Sequence, residues 1–110
     1  MINNPTIIKQ SQSSLVTFSK CTNNITELES EDAKTIVPTN IKRIYAVFVN
    51  NSSTTITLIL GEPNSGAVDK GITLNPDGGS FEINLSNLYR GKVSAISAID
   101  AKLSWVECEV

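Results

Sequence analysis

Hydrophobic positions in this chain recur with a period of two, the spacing of a strand rather than a helix. Residues 54–61 place Ile56, Leu58 and Leu60 on one face and Thr55, Thr57 and Ile59 on the other. Residues 43–50 are apolar on both faces, Ile44, Ala46 and Phe48 against Tyr45, Val47 and Val49. Asn51, Ser52 and Ser53 separate the two runs, so the pattern predicts an antiparallel hairpin at the centre of the fold. A strand apolar on both sides needs cover on its second face. A second sheet, a loop or a partner subunit would supply it.

Shorter runs surround this centre. Residues 6–9 and 15–19 are strand candidates, with the polar 10–14 between them. Residues 1–14 hold few apolar side chains and are expected to form an extended arm, with a β-sandwich domain over 15–110. Residues 21–34 are the most polar stretch and are expected as a solvated loop or a ragged edge strand. Val37-Pro38 marks a turn or edge. Pro63, Asn64 and Gly66 mark a surface loop over 62–70. Residues 71–75 form a short strand, and Pro76-Asp77-Gly78-Gly79 is expected as a hairpin turn in which glycine admits positive φ. Residues 80–85 alternate, with Phe81, Ile83 and Leu85 inward. Strands at 92–98 and 102–109 close the chain, the last with Leu103 and Trp105 on one face and Val106 and Cys108 on the other. No ten-residue window has helical periodicity. Seven to nine short strands at regular spacing predict an all-β protein: an antiparallel β-sandwich, jelly-roll or Ig-like, or a small barrel.

Composition narrows the function. A chain of 110 residues suits a single domain, and a net charge of −2 argues against a nucleic-acid partner. No apolar run approaches the roughly 20 residues needed to span a membrane. The first residues, Met-Ile-Asn-Asn-Pro, lack the features of a signal peptide, so synthesis in a cytosol is expected. The sequons at Asn24, Asn51 and Asn84 are then chance matches. In that compartment Cys21 and Cys108 are expected as reduced thiols, with a disulfide between terminal strands as the alternative.

Reactive chemistry is sparse. The chain has no histidine, the usual general base and commonest metal ligand. Glu27, Glu29, Glu31 and Asp32 lack the spacing of a calcium loop. Gly61 and Gly66 have the glycine spacing of a phosphate loop, but Ala67 and Val68 stand where Lys and Ser or Thr are required. Asp69, Asp77 and Glu82 lie in or beside turns rather than in a cleft. No enzyme activity, catalytic residue, metal or cofactor is expected. Trp105 and Tyr45 would form a sugar-stacking platform if they shared an exposed face. The hydroxyls of Thr54, Thr55, Thr57, Ser94, Ser97 and Ser104 suit hydrogen-bonded surface contacts.

From Thr35 onward the order of features carries a resemblance. Val37-Pro38-Thr39-Asn40 leads into a strand opened by Arg43 and closed by an Asn-x-Ser turn. A strand ending Leu60-Gly61 follows, then a variable loop and Gly-Ile-Thr-Leu-Asn-Pro-Asp-Gly-Gly at 71–79. Tyr-Arg-Gly-Lys-Val-Ser-Ala-Ile at 89–96 and a closing strand ending in glutamate complete the series. In this order the chain resembles small tailed-phage virion proteins of the head decoration, or cement, type. Residues 1–34 fall outside the pattern. The resemblance implies a β-sandwich on the capsid exterior, bound to the major capsid protein and stabilising the shell. The alternative is a neck, head-fibre or tail component that binds glycans. Such modules are expected as symmetric homo-oligomers, a trimer first and a dimer second. Ile2, Ile7 and Ile8 on the arm would pair with a neighbour's sheet edge.

Overall fold

The computed structural model describes residues 16–110. The arm expected over 1–14 and the strand expected over 6–9 lie outside the described residues. Eight strands form two four-stranded sheets: β1 (Lys20–Leu28), β2 (Lys34–Val37), β3 (Arg43–Asn50), β4 (Ile56–Leu60), β5 (Ile72–Leu74), β6 (Ser80–Ile83), β7 (Val93–Ser97) and β8 (Ala101–Glu109). The first sheet has the order β1-β8-β3-β6 and the second β2-β7-β4-β5. The pairs β1–β8, β2–β7, β3–β6 and β4–β5 are all antiparallel. They are nested, as if one long hairpin with its tip between β4 and β5 had been rolled into two layers. Contacts β3–β8 and β4–β7 close each sheet. This is the jelly-roll arrangement of the sandwich class.

The layers meet where alternation put apolar side chains. Ala46 and Phe48 of β3, Ile83 of β6 and Leu103 of β8 face Ile56 and Leu58 of β4, Leu74 of β5 and Val93 of β7, all of them buried. The central hairpin does not form. Strands β3 and β4 lie in different sheets, and residues 51–55 carry the chain from one layer to the other. Five residues cross the roughly 10 Å between stacked sheets, whereas the tightest hairpins use two. Asn50 holds the crossing. Its buried amide donates to the carbonyls of Thr54 (2.7 Å) and Leu74 (2.9 Å) and accepts from the Ser52 N–H and hydroxyl.

Other boundaries shift less. Residues 16–18 are not a strand. Of the polar stretch 21–34, residues up to Leu28 belong to the nine-residue β1, an edge among the described residues that presents Lys20, Asn23, Asn24 and Glu27 to solvent, and residues 29–33 form the turn into β2. A turn is present at 76–79, with φ of 59° at Asp77 and 116° at Gly78, but it carries the chain from β5 in one sheet to β6 in the other and is not the expected hairpin. Leu85 lies beyond β6 and is exposed.

Candidate interaction face

The two sheets differ on their outer faces. On the second sheet the outward residues Thr57 and Ile59 of β4 and Ser94 and Ile96 of β7 are buried. The chain's own loop over 61–71 seals part of this face. The Asp69 N–H donates to Thr57 Oγ1 (2.9 Å), the Ser94 hydroxyl donates to the Gly61 carbonyl (2.8 Å), and Gly66 abuts Ile59 so closely that a Cβ there would collide with it. The hydroxyls of Thr57, Ser94 and Ser97 therefore serve internal bonds, Ser97 to the Ile99 carbonyl, and are not surface contacts as their alternation suggested.

On the first sheet, Tyr45, Val47 and Val49 of β3, Val106 of β8 and Ile25 of β1 point away from the core. The β3 valines and Val106 are half-buried, and Ile25 is 55 % exposed. A shallow groove of about 520 Å³ runs there, lined by Ile25, Val47, Val49 and Val106, with Asn24 and Trp105 from neighbouring register positions. A recess of about 330 Å³ lies at the same face's lower end, lined by Val16, Phe18, Ile44, Tyr45 and Leu85. The Phe18 ring sits 5.2 Å from that of Tyr45, so the chain before β1 already folds over this face. The two-sided apolar pattern of 43–50 signalled a second face needing cover. Nothing local in the sequence pointed to Phe18 as part of it.

Tyr45 donates to Glu82 Oε2 at 2.8 Å. That bond, then burial, then the carboxylate's charge hold its phenol above the ordinary value of 10.0, because each disfavours the phenolate.

The face is anchored by a bulge. Ile44 is the extra residue between Arg43 and Tyr45 in the β3–β8 ladder, and the shift turns Arg43 into the space between the layers. Arg43 is fully buried. Its Nε donates to Glu107 Oε2 at 2.7 Å, Nη1 to the carbonyls of Tyr89 and Gly91, and Nη2 to that of Pro38. One guanidinium so ties β3 and β8 to the 38–40 and 89–91 loops.

Cys21 and Cys108 are directly opposite in the β1–β8 register, with Cα atoms 4.1 Å apart, and form a disulfide. The expectation of reduced thiols is overturned. Register, invisible in a separation of 87 residues, brings the pair together.

The stacking platform is not assembled. Trp105 pairs in register with Phe48, three positions from Tyr45, so the two aromatics belong to opposite faces. Trp105 packs on the core, and its indole N–H donates to Thr26 Oγ1. Asp69, Asp77 and Glu82 fall on three separate elements. Among the described residues no three Asp, Glu, Cys or His come together as metal ligands. An open polar cleft of about 660 Å³ lies at the other end of the sandwich, lined by Glu27, Glu29, Lys34, Ser52, Asp100 and Lys102 among others. Asp100 there accepts from the Ser30 N–H, and Lys34 donates to the Glu27 carbonyl.

Among the described residues no helix is long and apolar enough to cross a membrane. Comparison of the chain with protein-family models, with curated proteins and with solved structures returns no match.

Proposed function

We propose that this chain is a structural virion protein, a decoration protein that binds the outside of a phage head as a homo-oligomer, with a trimer preferred, and stabilises the shell. One observation carries the reading. The jelly roll covers part of one outer face with its own loop and, beyond the end where Phe18 lies on Tyr45, leaves on the other an apolar, half-buried groove uncovered among the described residues. Such a surface fits a module built to be completed by another protein. The order of motifs from Thr35 onward supports the same class. The test is stoichiometry. A stained gel of purified particles should show this chain in numbers comparable to the major capsid protein. Shells stripped of it should break at lower temperature, and re-addition should restore them. A few copies per particle would reject a decoration role.

The polar end cleft favours a second reading, a neck, head-fibre or tail component that binds glycans through Lys34, Ser52, Asp100 and Lys102. It predicts few copies and binding to host cells that Asp100→Ala abolishes with the fold intact.

A further inference from the structure

We infer that the apolar groove on the first sheet is filled by residues 1–15 of a neighbouring copy of this chain. The inference rests on the reading of the protein as a self-associating virion module and names the contact that assembles it. Its starting point is the path of the chain before β1. The Ser19 N–H donates to the Glu109 carbonyl, which places residue 19 beside the end of β8. One residue earlier, Phe18 lies on Tyr45 of β3. Val16 shares a recess with Leu85, just beyond β6. From residue 19 back to residue 16 the chain passes from the end of β8 over Tyr45 of β3 to the residues just beyond β6. None of the residues lining the recess around Val16 lines the groove between β1, β8 and β3, so the described chain runs beside the groove rather than into it.

Length and chemistry then select the occupant. Three strand spacings amount to about 14 Å, while fifteen extended residues reach about 50 Å. The segment is therefore long enough to reach the groove of an adjacent molecule. It carries Ile2, Ile7, Ile8 and Leu15 and a single charged side chain, Lys9. An extended Thr6-Ile7-Ile8-Lys9 presents an isoleucine to whichever side meets the groove, which offers Ile25, Val47, Val49 and Val106. The exchange is self-complementary around a closed ring, each copy giving one arm and receiving one.

The experiment uses the full-length chain with Val47 replaced by the photoreactive benzoylphenylalanine. Equal parts of isotopically heavy and light protein are mixed, irradiated and digested for mass spectrometry. Crosslinks joining position 47 of one isotope to residues 1–15 of the other are expected. Crosslinks to residues 1–15 of the same isotope only would overturn the inference in favour of a self-covering strap. Crosslinks to another copy's β-strands, or none, would overturn it in favour of a face-to-face contact or an open face. A full-length Ile7→Asp, Ile8→Asp variant should keep its circular dichroism spectrum and run as a monomer by light scattering. An unchanged oligomer would refute the inference. None of these outcomes depends on shell binding, so a failed decoration assay and a failed arm exchange remain separable.

Discussion

Arg43 shows how much can hang on one side chain. Its guanidinium is sealed from water and holds Glu107 and three backbone carbonyls. Removing it leaves a largely buried carboxylate and three carbonyls without their donor. Arg43→Ala should cost about 3–5 kcal/mol, the usual penalty for breaking a buried pair from one side. Urea unfolding of the two proteins measures it. Arg43→Met keeps volume but not donors, so it should recover little of the loss. Tyr45 makes a prediction in pH. Its phenol keeps its proton better in the folded chain than in the unfolded one. Above the ordinary value of 10.0 the unfolded chain gives up that proton first, so stability falls as pH rises through the folded value. Absorbance of tyrosinate should show Tyr45 titrating late, and Glu82→Gln should bring it earlier.

At the scale of elements, the crossing at 51–55 and the pairing of β1 with β8 define the topology. Asn50 closes four hydrogen bonds at the crossing. Asn50→Ala exposes no new surface but orphans the carbonyls of Thr54 and Leu74, at about 1–3 kcal/mol. Hydrogen exchange should then quicken in β4 and at residues 75–79, whose turn donates to Asn50 and Ser52 from Gly78 and Asp77. Among the described residues strand β1 is an edge held by one neighbour and the Cys21–Cys108 bond. The bond spans 87 residues, so chain entropy alone assigns it about 4–5 kcal/mol. Reduction by dithiothreitol, or the pair Cys21→Ser, Cys108→Ser, should lower the melting temperature, and exchange should rise first in β1. A variant that melts where the parent does would show that the ladder alone suffices.

For the whole molecule, the asymmetry of the two outer faces matters most. Loop 61–71 covers part of the second sheet, and its close approach at Gly66 makes that cover local and tight. Gly66→Val should therefore pry the loop off Ile59, expose the second outer face and cause aggregation visible by light scattering. On the first face residues 16–18 cover only the end around Tyr45, and the groove beyond it is left open among the described residues.

The pattern along 43–50, 54–61, 80–85 and 102–109 was enough to establish strands and an all-β class, because side-chain period is a local property, whereas the inward face was read only for 80–85 and there Leu85 is exposed. The turn at 76–79 was equally legible, since proline and glycine act through their own dihedrals. Which strands pair was not. The Asn-Ser cluster after β3 reads the same for a hairpin as for a crossing between layers, and only the packing of both apolar faces of β3 and β4 chose the second. The disulfide, the bulge that buries Arg43 and the placing of Phe18 over Tyr45 depend on register between segments dozens of residues apart. Such contacts exist only once the chain has been rolled into two layers, so tertiary structure decided them and the linear order could not.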